Sequence, residues 1–224
     1  MPSLPQLIPL ATGLIISPLP IVAVVAIVLG VRGKAAAMAY TVAYAGVAFA
    51  VTVVTAFTTH AAVRATGVKH STVNVVVSVV VGLLFLAFAA LSWRGRPAPG
   101  APAKPPAWLA KAETLSLGGC ALLGVGMSLT QTKNVLAEVK AGTIIAAVNH
   151  YPVFMISMAL LFAVVGALAL IVPTLMAISG SPRARQQLEA LKAEMIEHNA
   201  LMMAVLFAIL GAVEIEHALT ALTT

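Results

Sequence analysis

The side chains with most chemistry to offer lie where a hydrophobic chain should least tolerate them. Lys133, Glu138 and Lys140 interrupt a segment flanked by the apolar runs Gly118 to Leu129 and Ala141 to Val148. A charge at the centre of a membrane helix costs about 2.5–3.5 kcal/mol on insertion scales, so three in one segment need internal partners or water. Asn134 and Glu138 lie one turn apart and Lys133 and Lys140 seven residues apart, spacings that let each pair share a helix face. A Lys-Glu-Lys set of this kind can bind an anionic head group or relay protons, with Glu138 and Lys140 as counter-ion or proton-coupling groups. The competing reading puts the segment at the membrane interface with its lysines snorkelling, since the 34 residues from 115 to 148 exceed one span.

A second constellation is Ser17-Pro18-Leu19-Pro20. Neither proline has an amide donor, and each pushes its predecessor out of helical geometry, so a helix here should break or kink. Carbonyls freed near Thr12 to Ile16, with the Ser17 hydroxyl, are then available to a polar group; the alternative is a structural kink satisfied by neighbouring helices. Thr130-Gln131-Thr132-Lys133-Asn134 forms a comparable polar interruption, with Gln131 lying 114 positions after Ser17.

The elements that must position these residues follow from composition. In 224 residues, 61% are hydrophobic and 9% charged, and the mean hydropathy is +1.04. Soluble domains carry about 25% charged residues, so the expected class is an all-α polytopic membrane protein. One cysteine, Cys120, excludes a disulfide scaffold and thiol-pair redox chemistry. The net charge of +6 is spread over loops, as the positive-inside rule requires, rather than gathered on a nucleic-acid-binding face.

Apolar stretches at roughly 4–30, 35–59, 71–93, 115–148, 151–178 and 199–221 are each long enough to cross about 30 Å of hydrocarbon, predicting six transmembrane helices. MPSLPQLIPL lacks a basic n-region and is expected to be the retained start of the first span. Arg94 to Ala112 is Pro-rich and reads as a cytoplasmic linker between a first three-helix repeat, 1–93, and a second, 113–224. Three spans is an odd number, so the halves enter with opposite polarity: two inverted repeats, with helices 1 and 4 interrupted. The odd-numbered loops hold nine Lys and Arg against two in the others, which predicts both termini outside the cytoplasmic (inner) membrane. Residues 182–197 carry Leu188, Leu191, Met195 and Ile196 at helical spacing, an amphipathic helix expected on the membrane surface.

Glu214, Glu216 and His217, and likewise Glu194, Glu197 and His198, match no metal motif and read as interfacial charges. His60, His70 and His150 fall at span ends and read as solvated loop histidines. Gly118, Gly119, Gly124 and Gly126 are expected to allow close helix packing. No cofactor is expected.

The SPLP break, the polar Lys133-Asn134 segment opening the second half, and the small residues Ala141-Gly142-Thr143 together resemble the lysine-exporter superfamily. Within it the chain is most similar to the actinobacterial peptidoglycolipid-addressing (GAP) family, which includes the sulfolipid-addressing proteins. That family commonly has Asn-Pro-Lys-Asn in span four; here Gln131-Thr132-Lys133-Asn134 stands in its place, so Lys133 and Asn134 match while the proline is absent. Thr130 and Thr132 can still bend the helix by bonding back to carbonyls. The resemblance implies export of glycolipids or other cell-envelope amphiphiles, driven by a gradient or a partner, and a homodimer. Lipid-synthesis or other export proteins are the partners it suggests. The substrate site is expected at Ser17, Pro18, Pro20, Gln131, Lys133 and Asn134. The alternatives are a small-solute exporter of amino acids or cations, or a non-transporting scaffold for lipid-synthesis enzymes; no acid-base pair or metal set at coherent spacing points to an enzyme.

Overall fold

The computed structural model describes residues 3–30, 33–95, 108–112, 114–179 and 181–223. Most of the expected Pro-rich linker, residues 96–107, lies outside them. Among the described residues every regular element is helical. A 3-10 turn at Leu4–Gln6 leads into α1 (Leu7–Ile15), α2 (Pro18–Leu29), α3 (Gly33–Thr66) and α4 (His70–Arg94). There follow α5 (Leu109–Ala112), α6 (Leu117–Thr130), α7 (Thr132–Val148), α8 (Pro152–Gly166), α9 (Leu168–Ser179), α10 (Pro182–Glu197) and α11 (Asn199–Thr223).

Local chemistry sets the breaks. Pro18 and Pro20 fall in the first turn of α2, where a missing amide hydrogen leaves no helical bond unmade, so they start a helix rather than kink one. The interruption itself lies at Ile16 and Ser17, and α1 and α2 meet there at 51°. Between α6 and α7 only Gln131 leaves the helical region, with ψ at 87°. The preceding Thr130 hydroxyl bonds back to the Gly126 carbonyl at 2.7 Å.

By length and composition α3, α4 and α11 can each cross a membrane, and the bent pairs α1–α2 and α8–α9 can do so as single broken spans. α6 has 14 residues, and α7 carries the three charges. The 55° bend between α8 and α9 is a departure from the continuous fifth span expected.

α7 is the centre of the assembly, buried on nearly every side and packed by α1, α3, α4 and α8. Gly142 permits this: a Cβ there would stand 2.7 Å from the Thr52 carbonyl oxygen on α3. Gly124 does the same for α6 against α3, whereas Gly118 and Gly126 face open space. α4 pairs along α11, and the two bent pairs run side by side, α1 on α8 and α2 on α9. Leu14, just before the first bend, fills the space left by Gly166, just before the second.

The outer surface carries apolar side chains such as Val42, Leu83, Leu122 and Val153, while Lys133, Asn134, Glu138, Lys140 and Glu214 are buried. That inversion of a soluble protein's pattern suits a hydrocarbon surround. The amphipathic helix α10 does form, but its apolar face is covered by the chain itself. Leu188, Leu191, Met195 and Ile196 pack into the cluster built on α2, where a membrane surface was expected. Periodicity shows that a face needs cover, not what covers it.

Candidate functional site

The break between α1 and α2 leaves three carbonyls to be satisfied. Gly13 O would normally accept from the amide of residue 17, but Ser17 N donates to Ile15 O instead at 3.0 Å. Leu14 O would accept from residue 18, a proline with no hydrogen to give, and takes the Ser17 hydroxyl at 2.7 Å. Ile16 O loses its helical donor to Pro20 in the same way. The buried Gly13 carbonyl, without its helical donor, accepts from Lys133 Nζ at 2.6 Å. The same ammonium donates to Ser17 Oγ at 2.6 Å and Asn134 Oδ1 at 2.9 Å, so its three protons have three oxygens. Asn134 Nδ2 donates to the Tyr44 hydroxyl at 2.5 Å, tying the site to α3. Among the described residues no carboxylate lies within 4 Å of Lys133. Glu138, one turn on, is fully buried, interacts electrostatically with Lys133 and has no hydrogen bond to either carboxylate oxygen.

A second polar site lies two turns along α7. Lys140 Nζ donates to Ser78 Oγ at 2.5 Å, Asn74 O at 3.0 Å and Asn74 Oδ1 at 3.3 Å, all on α4. It pairs with Glu214 Oε2 of α11 at 3.7 Å, both side chains almost wholly buried. Thr143 Oγ1 donates to Asn74 Oδ1 at 3.1 Å, and Asn74 Nδ2 donates to Thr143 O at 3.2 Å, locking the asparagine.

The structure therefore brings Ser17, Lys133 and Asn134 into one hydrogen-bonded cluster. Pro18 and Pro20 stand beside it as buried helix starters, with the Pro20 carbonyl accepting from Tyr40 at 3.2 Å. Gln131 contributes its backbone, as the break and as acceptor for the Asn134 amide at 2.8 Å. The expected Lys-Glu-Lys set is divided: Lys133 reaches the α1–α2 break while Lys140 reaches α4 and α11. These lysines do not snorkel outward, because each is only 2% exposed. Glu214, expected as an interfacial charge, is buried inside the protein with a buried ammonium as its partner. Tyr44, Asn74, Ser78 and Glu214 were missed as partners; the available signal was a polar side chain on an otherwise apolar helix, which does not say where it points. His60, His70 and His150 are not simply solvated, for His60 stacks on His70 at 5.9 Å and on His150 at 5.4 Å between ring centroids. Among the described residues no group of three His, Cys, Asp or Glu is arranged to hold a metal ion.

Two cavities bear on function. A groove of about 300 Å³ between α1 and α8, lined by residues such as Ile8, Ala11, Ile15, Leu161 and Val165, is almost wholly apolar. A polar cavity of about 700 Å³ reaches Lys140 past Asn74, Ser78, His217, Glu216 and Lys69.

No curated protein and no solved structure matches the chain. Residues 7–220 match the family described as Sap, sulfolipid-1-addressing protein. With buried charges, an apolar exterior and a match over nearly its whole length, the chain belongs to the sulfolipid-1-addressing protein family.

Proposed function

We propose that the chain carries an anionic glycolipid or related envelope amphiphile across the cytoplasmic membrane, as a six-span exporter of two inverted three-helix halves within the lysine-exporter superfamily. The observation that carries this reading is the meeting of two helix breaks, remote in sequence, around the Lys133 ammonium. Irregular backbone inside a bilayer is tolerated where it lines a path or is buried in protein, and paired breaks are the usual mark of a transporter's substrate site. α2 and α7 both begin at this point, and helix N-termini lend partial positive charge that, with the ammonium, favours an anionic group. Gly13 O, Ser17 and Asn134 hold Lys133 with neutral oxygens, which a sulfate, phosphate or carboxylate can replace with gain. The apolar groove along α1 gives acyl chains a place beside the site while they stay in lipid.

A second reading, export of a small polar solute, draws on the polar cavity at Lys140. Purified protein in liposomes separates the two. The first predicts transbilayer movement of a sulfated glycolipid that is lost in Lys133→Ala. Unchanged movement by stably inserted Lys133→Ala overturns the role of this site. Movement of a charged amino acid without movement of the lipid favours the second reading.

A further inference from the structure

Glu214 is a fully buried carboxylate on α11 whose two oxygens make no hydrogen bond among the described residues. A charge so placed is expensive, and one ion pair at 3.7 Å offsets only part of that cost. Its surroundings form a graded series. Glu216 Oε2, on an exposed side chain, lies 3.8 Å from His217 Nε2; His217 Nδ1 lies 3.9 Å from Glu214 Oε1; Glu214 Oε2 lies 3.7 Å from Lys140 Nζ. Glu216, His217 and Lys140 all line the polar cavity of about 700 Å³. The imidazole thus stands between an exposed carboxylate and a buried one, 3.8 Å from the first and 3.9 Å from the second, gaps that a small side-chain rotation closes to hydrogen-bond reach.

We propose that Glu214 is a proton-binding site in exchange with this cavity through His217, and that its protonation drives the transport proposed above. The coupling rests on that transport reading. His217 takes a proton from cavity water or Glu216 at Nε2 and delivers the Nδ1 proton to Glu214 Oε1, so one proton enters and the ring returns to neutral. Neutral Glu214 no longer balances Lys140, whose ammonium is then held only by Asn74 and Ser78. The freed positive charge, two turns from Lys133 on the same helix, adds to the attraction for an anionic head group at the Lys133 site, and loss of the proton restores the pair and withdraws it. The groups facing Glu214 are Lys140 from α7, the neutral Asn74 and Ser78 from α4, and His217 on its own helix. Glu216, Lys69 and Gln6 stand at the cavity beyond. An ionisable group held inside a membrane bundle beside a polar cavity is the usual setting of a proton relay.

The test uses full-length protein in liposomes of neutral phospholipid carrying a trace of sulfated glycolipid, with and without an imposed pH gradient. Infrared difference spectra of the protein across a pH titration accompany it. Wild type is expected to move lipid faster with the gradient. Glu214→Gln is expected to move lipid at a rate that no longer changes with the gradient and to lose one protonated-carboxyl band. His217→Gln, at a less buried position, covers the case in which Glu214→Gln fails to fold; it should keep the band and respond more slowly. Equal gradient responses in wild type and Glu214→Gln overturn the proposal, as does a carboxyl spectrum that Glu214→Gln leaves unchanged. If wild type moves no lipid in any arm, the transport reading and the coupling fall together. The spectra then decide proton binding at Glu214 alone.

Discussion

The Lys133 ammonium and the Ser17 hydroxyl lie 2.6 Å apart although 116 residues separate them along the chain. Ser17 serves both sides of the helix break, accepting from Lys133 and donating to the Leu14 carbonyl that Pro18 cannot serve. Ser17→Ala leaves that carbonyl without a donor and Lys133 one acceptor short. The expected loss is about 1–3 kcal/mol in unfolding free energy, with a fall in lipid movement. Equilibrium unfolding in detergent and a liposome assay check the two effects, and a variant as stable and active as wild type would remove Ser17 from the site.

Tyr44→Phe separates fastening from function. Its hydroxyl takes the Asn134 amide hydrogen but does not touch Lys133, so all three acceptors of the ammonium remain. Stability should fall by about 0.5–1.5 kcal/mol, with lipid movement retained better than in Ser17→Ala. The ratio of the two rates, corrected for the amount of folded protein, is the measurement.

The Lys140–Glu214 pair lends itself to a double-mutant cycle. Lys140→Met strands a buried carboxylate and is expected to cost about 3–5 kcal/mol. Adding Glu214→Leu removes the stranded charge, so the double variant should be more stable than Lys140→Met alone. Additive losses would show that the two groups do not interact.

Glycines on α6 and α7 should respond in opposite directions. Gly142→Ala drives a methyl against the α3 backbone at Thr52 and should cost about 1–3 kcal/mol, whereas Gly126→Ala meets nothing and should gain about 0.5–1 kcal/mol of helix stability. Thermal unfolding of both variants in one detergent decides it.

Hydropathy made the long apolar helices legible, and Pro18 and Pro20 marked the first break to within two residues. Lys133 and Asn134 stood out because charge and amide are expensive in an apolar run. What sequence could not supply was pairing. Lys140 and Lys133 share a spacing that suits one face, yet each finds oxygens on a different helix, and Asn74, Ser78 and Glu214 become partners only once α4 and α11 lie together. The bend at Ala167 has no polar or proline residue at its apex, and it coincides with the seat of Leu14 against Gly166. α10 showed its amphipathic face plainly, but a stripe of Leu and Met looks the same to a bilayer and to α2.

Leu14 seated in the notch of Gly166 meshes two hinges at a single tooth. Each sits one or two residues ahead of its own elbow, so a methyl added at residue 166 would press on the first elbow as well as the second.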